Sequence, residues 1–157
     1  MKPDDTDRPN THHWPPILYV VVVVVAWGLG LWVPLPSIFD SAYAKVVGWL
    51  LFAIGGAVGV IALVHFRRVG TPFDPTAAAE ALAHDGIYHF TRNPMYLGAL
   101  LGFVGLGVAL NQMWLLLLQP VLAFALVKLA ITREEAYLER RFGDGYRAYK
   151  DRVRRWL

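Results

Sequence analysis

At 157 residues the chain has the length of a single domain, but 56% of its residues are hydrophobic and 17% charged, with a mean hydropathy of +0.41. That balance excludes an ordinary soluble globule and points to a membrane protein. With no cysteine, disulfides, thiolate metal sites and a cysteine nucleophile are excluded. The net charge of +3 and pI near 9.3 call for no nucleic-acid partner, since an anionic lipid surface accounts for them equally well.

Residues 1–13 read as a flexible polar tail, with Asp4, Asp5 and Asp7 and without the basic-then-apolar layout of a cleavable leader. His12 and His13 read as a solvated pair, and no metal site is expected. The run from Ile17 to Val33 carries no charge, and Trp14, Pro15 and Pro16 supply an interfacial anchor and a helix start in front of it. This is the first expected membrane helix. Pro34 and Pro36 end it.

A second expected helix spans Tyr43 to Phe66, long enough for a tilted crossing. Gly48, Gly55 and Gly59 give it one side that a neighbouring helix can approach closely. The polar connection 67–93 is too long for a simple turn. Asp74-Pro75-Thr76 and the alanines after it suggest a short helix there, and Asp85-Gly86 suggests a turn.

Asn93-Pro94 is a helix-start signal, Asn as a side-chain cap for the free amides and Pro at a position whose N–H has no partner. Helix three is expected from Pro94 to Leu110, with Gly98, Gly102, Gly105 and Gly107. Its positive N-terminal end, with Arg92 beside it, suits an anionic group. A tight turn at Asn111-Gln112 leads into helix four, Met113 to Ile131, which Pro120 is expected to kink. Lys128 lies about a turn from its end, placed to snorkel. The helix is expected to continue through Glu134 and Glu135 to Phe142 and to stop at Gly143. A final helix would gather Tyr146, Tyr149, Val153 and Trp156 on one face, with Arg147, Lys150, Arg154 and Arg155 elsewhere. That amphipathic pattern suits an anionic membrane surface.

The fold class expected is therefore an all-α integral membrane protein with about four transmembrane helices, a cytoplasmic cap from 67–93 and 132–157, and a C-terminal amphipathic helix, all one domain over 1–157. Of the 15 Lys and Arg, only Lys45 belongs near the side opposite the termini. The positive-inside rule then places both termini in the cytoplasm of a multi-pass protein. Oligomeric state is left open.

Gly86-Ile87-Tyr88 followed by Arg92-Asn93-Pro94-Met95-Tyr96-Leu97-Gly98 resembles the Arg-His-Pro-x-Tyr signature of the isoprenylcysteine carboxyl methyltransferase and phospholipid methyltransferase superfamily of integral membrane enzymes. A second block, Glu134-Glu135, Phe142-Gly143, Tyr146, Tyr149 and Val153, resembles that superfamily's C-terminal block. The resemblance covers roughly residues 70–157. It implies methyl transfer from S-adenosylmethionine to a lipophilic small molecule or lipid: a prenylcysteine-like carboxylate or thiol, or a phospholipid amine. By the same resemblance the cofactor contacts are Glu80, Ala81, Leu82, Ala83, Tyr88, Asn93, Pro94, Met95, Tyr96 and Glu134. Arg92 and Glu135 are candidate catalytic groups, and Arg133, Leu97 and Leu101 candidate acceptor contacts.

Two departures stand out. Asn93 occupies the position of the usual His and has no titratable group for acid–base work; His89 or Glu135 is the alternative base. Ala130 stands where the eukaryotic prenylcysteine enzymes carry a substrate-binding Arg. Without the resemblance, Tyr88 and Tyr96 also read as interface aromatics and Glu134-Glu135 as a solvated helix face. A membrane reductase using NADPH, of the sterol-reductase type, and a small four-helix transporter are the competing classes.

Overall fold

The structure is a computed structural model, and it describes residues 13–68 and 82–157. The N-terminal tail, Glu80, Ala81 and the short helix expected after Asp74 lie outside the described residues. Among the described residues every regular element is helical.

Helix α1 (Trp14–Trp32) starts at the Pro15-Pro16 pair, as expected, and α2 (Ala42–Arg68) follows after a connection held open by Pro34 and Pro36. Both helices are long and apolar enough to cross a membrane, and most of their side chains are exposed. The 27 residues of α2 reach about 40 Å at 1.5 Å per residue. Gly86, at φ +57°, turns the chain into a short 3-10 helix, Gly86–His89, where the Asp85-Gly86 turn was expected.

Helix α3 (Pro94–Ala109) is 16 residues long and packs along α2 with almost no side chain between them. A methyl group on Gly55 would stand 2.5 Å from the Gly102 nitrogen and from the Gly98 oxygen; on Gly98 it would stand 2.6 Å from the Gly55 oxygen. Methyls on Gly48 and Gly105 would likewise strike the backbone of Ala109 and Phe52. Gly59 belongs to this seam only through its backbone nitrogen, since its own open side meets nothing.

At the end of α3, Asn111 takes a positive φ of 54° and makes the tight turn expected there. Its side chain also reaches the α1–α2 connection: Oδ1 accepts from the amides of Ile38 (3.2 Å) and Phe39 (3.0 Å), and Nδ2 donates to Asp40 at 2.8 Å.

The expected fourth helix is not one continuous rod. It forms α4 (Met113–Leu117), a break at Leu118, α5 (Gln119–Leu126), one π turn (Val127–Ile131) and α6 (Thr132–Phe142). The break comes just before Pro120, which has no N–H for a continuous ladder. Gly143, at φ +53°, stops α6 as expected.

The final helix α7 (Asp144–Arg152) is shorter than expected. Val153 is extended, so Val153, Arg154, Arg155 and Trp156 do not belong to a helical face. Tyr146, Tyr149 and Val153 are buried against Leu82, Leu138 and Phe142, and Trp156 packs with the main core. The apolar face expected to meet lipid is thus covered by the protein itself. Burying one such aromatic side chain contributes roughly 1.5–3 kcal/mol, which a helix as short as α7 needs from packing because its own hydrogen bonds cannot sustain it.

Candidate functional site

The cleft sits where the N-terminal end of α3 meets α6 and α7. Leu82, Ala83, Tyr88, Asn93, Pro94, Met95, Tyr96 and Glu134 line it, together with Arg92 and Glu135. All ten were singled out in the sequence, so the two blocks, some 40 residues apart, meet in one place. Phe66, Leu138, Tyr146 and Tyr149 complete the walls. Of these, Tyr146 and Tyr149 carried a sequence signal as part of the second block, whereas Phe66 and Leu138 are ordinary apolar positions with none. The cavity within these walls is about 90 Å³ and is open on one side. Arg133 is exposed and off the cleft wall, and Leu97 and Leu101 are half-buried in α3 without lining it.

The signature loop is held by the chain's own C-terminal segment. The Arg92 amide donates to the Arg154 carbonyl at 3.0 Å, and the Arg155 carbonyl accepts from the Thr91 hydroxyl (3.1 Å) and from Asn93 Nδ2 (3.0 Å). This corrects the expected side-chain cap. Asn93 starts α3 through its backbone carbonyl, which accepts from the Leu97 amide at 3.0 Å, and spends its side-chain N–H on the tail. The Nδ2 bond holds the amide on the tail, and the side chain makes no cap bond to the first-turn amides of α3.

Two acidic side chains from α6 take different partners. Tyr96 Oη donates to Glu134 Oε1 at 2.6 Å, a charge-assisted bond between the blocks. Glu135 is gripped in a fork by Arg155, whose Nε and Nη2 lie 3.0 and 2.6 Å from its two oxygens. Arg92 Nη1 stands 3.1 Å from Glu135 Oε1, close enough for an ion pair but not aligned as a hydrogen bond. The Arg155 guanidinium is held above its ordinary pKa by that Glu135 fork.

Several buried polar atoms lack a hydrogen bond among the described residues. Among the described residues the buried Tyr88 hydroxyl has no hydrogen-bond partner, and Arg92 Nε and Nη1 make no hydrogen bond. Burial, with Tyr149 and Glu134 nearby, keeps the Tyr88 phenol above its ordinary pKa, so it stays a neutral O–H. Its ring packs on Phe66 (centroids 5.3 Å apart) and His65 (5.6 Å), and its carbonyl accepts from Tyr149 Oη at 2.7 Å. Tyr146 is raised by burial and by Glu135, with Arg92 opposing. Among the described residues no three His, Asp or Glu side chains gather as a metal site would require.

A second, apolar groove lies over the paired α2 and α3 and reaches Tyr19 of α1, with Phe52, Gly56, Gly59, Ala99 and Phe103 in its lining. Met95 lines both spaces.

Against known proteins, the sequence profile of the phospholipid methyltransferase family matches residues 43–145. A protein-S-isoprenylcysteine O-methyltransferase of Schizosaccharomyces pombe is 36% identical over 135 residues, covering 72% of this chain and 57% of the relative. An uncharacterized protein of Haemophilus influenzae is 59% identical over 39 residues, 24% of this chain and 62% of its own length. The matches thus cover less than two thirds of these relatives. No solved structure matches the chain.

Proposed function

Since this chain belongs to the phospholipid methyltransferase family, we propose that it transfers the methyl group of S-adenosylmethionine to a lipophilic or amphipathic acceptor at a membrane surface. The observation that carries this reading is the meeting of the two sequence blocks in one cleft, with the buried Tyr88 hydroxyl and Arg92 Nε making no hydrogen bond among the described residues. Unpaired buried donors cost stability unless a ligand takes them.

When bound, the cofactor supplies a sulfonium methyl to a nucleophile, and the carbon–sulfur electron pair stays on sulfur. A carboxylate or thiolate acceptor then needs no proton removed, which agrees with an Asn rather than a titratable group at position 93. Tyr88, Arg92 and the start of α3 from Asn93 to Tyr96 would hold the cofactor's polar groups, with Arg92 and the free amides of α3 suited to a carboxylate. Glu134, steadied by Tyr96, would meet an ammonium. The aromatic walls suit both a flat base and a cation. In this reading Glu135, committed to two guanidinium groups, organises charge and does not act as a base.

The acceptor's reactive head would enter the cleft, and its apolar part would lie in the groove that shares Met95. A prenylcysteine-like carboxylate fits this description with the least added chemistry, and a relative's name carries that activity. We take α1, α2, α3 and the α4–α5 segment as four membrane crossings, with both termini cytoplasmic, where the cofactor is.

The test has two parts. In detergent, S-adenosylhomocysteine should raise the melting temperature with its concentration and NADPH should not. Labelled methyl from S-adenosylmethionine should reach a membrane lipid extract or a short prenylcysteine analogue in preference to the same head group without an apolar tail. Stabilisation by NADPH alone would reject the methyltransferase reading, and label confined to soluble products would reject the lipophilic acceptor.

A further inference from the structure

The charges beside the cleft do not balance. Arg92, Glu135 and Arg155 form one cluster of two guanidinium groups on a single carboxylate. Arg92 and Glu135 are largely buried, with side chains 12% and 15% exposed, and Arg155 covers them from outside at 37%. The carboxylate is divided unequally. Arg155 takes both oxygens in a fork at 3.0 and 2.6 Å, while Arg92 has one unaligned contact at 3.1 Å. Two parallel N–H donors on a carboxylate make the strongest geometry open to a guanidinium, and Arg155 holds it at the expense of Arg92.

We propose that Arg155 is a positioning residue: by occupying the Glu135 carboxylate it keeps Arg92 from folding back into a two-pronged pair with Glu135, and so leaves the Arg92 donors facing the cleft. The proposal rests on the methyl-transfer reading above, in which Arg92 meets the anionic group of a bound molecule. The arrangement is a closed ring. Arg155 lies in the non-helical segment beyond α7, and what fixes it there is its own carbonyl, which accepts from Thr91 and Asn93 on either side of Arg92. The loop that carries Arg92 therefore also anchors the residue that restrains Arg92's partner. The three side chains together keep one unit of positive charge in excess, and Arg92, bonded to Tyr146, retains Nε and Nη1 without a hydrogen bond among the described residues.

Arg155→Ala separates this role from a merely structural one, because the two roles move Arg92 in opposite senses. With Arg155 gone, Glu135 is free to chelate Arg92 and withdraw it. Modification of Arg92 by phenylglyoxal, followed by peptide mass spectrometry on the full chain in detergent without ligand, should then slow several-fold. Loosening of the loop would instead speed it. Arg155→Lys should act in the same direction, since an ammonium cannot fork across both oxygens, and it keeps the test available if the alanine variant does not fold. Glu135→Gln should speed modification. Methyl transfer should fall on the order of tenfold in kcat/KM in both Arg155 variants, and combining Arg155→Ala with Arg92→Ala should cost no more than Arg92→Ala alone. Unchanged or faster modification of Arg92 in both Arg155 variants overturns the positioning role. Absence of methyl transfer by the parent protein sinks the functional reading instead.

Discussion

Tyr88, 4% exposed, carries a neutral hydroxyl with no hydrogen-bond partner among the described residues. If it serves only the fold, removing it relieves an unsatisfied group; if it serves a ligand, removing it weakens binding. Tyr88→Phe is expected to melt at or above the parent temperature, while its affinity for S-adenosylhomocysteine falls by roughly 0.5–1.5 kcal/mol, the net worth of one hydrogen bond. Calorimetry and ligand titration on the same preparation check both halves, and equal affinities would remove Tyr88 from the site. Most of the cleft was legible at this scale, because Tyr88, Asn93 to Tyr96 and Glu134 sit in short recognisable blocks. What was not legible is who bonds to whom. The side chain of Asn93 next to Pro94 reads as a cap, yet it donates to a carbonyl 62 residues away. Tyr96 and Glu134 are 38 residues apart, and no local pattern announces their bond.

Among the elements, the glycines of α2 divide sharply by what lies opposite them. Gly55→Ala drives a methyl into the backbone of α3, while the neighbouring Gly56 faces open space. Forcing atoms into a closed seam costs typically ~1–3 kcal/mol, whereas alanine in open helix is worth up to about 1 kcal/mol over glycine. Gly55→Ala should therefore lower the melting temperature and Gly56→Ala should hold or raise it, measured in the same detergent. Equal effects would contradict the packing of α2 on α3. At the other end, Glu139 on α6 pairs with Lys150 (2.9 Å) and Arg147 (3.2 Å) on α7, and their hydrogen bonds lower its pKa. A carboxylate lowered on folding stabilises above its unfolded pKa and loses that contribution as pH falls through the folded value. Amide protection in α7 should thus decline below about pH 4, and Glu139→Gln should show weaker protection at neutral pH with that acid step removed. Helix starts and stops were readable here because Pro15, Pro94, Gly86, Asn111 and Gly143 act through their own backbones. The break before Pro120 was readable in the same way, whereas the π turn and the early end of α7 were not, the latter because Trp156 packs with the main core and not on the face of Tyr146 and Tyr149.

Across the whole molecule, the cleft and Asn111 lie at opposite ends of α3, about 24 Å apart at 1.5 Å per residue for its 16 residues. The basic residues crowd toward the cleft end. Both termini are expected on the cytoplasmic side and Asn111 on the other; a C-terminal reporter active only outside the cytoplasm would reverse this and part the cleft from the proposed intracellular cofactor. The glycine seam has a mechanical consequence for such a molecule. Where two helices touch backbone to backbone there is no side chain to change rotamer and no slack to take up movement, so α2 and α3, with Phe66 and Asn93 to Tyr96 at their ends, form a fixed jaw. Any opening to admit a cofactor or release a product falls to the other jaw, α6 and α7, which hangs from a rod already interrupted at Leu118 and wound loosely through its π turn.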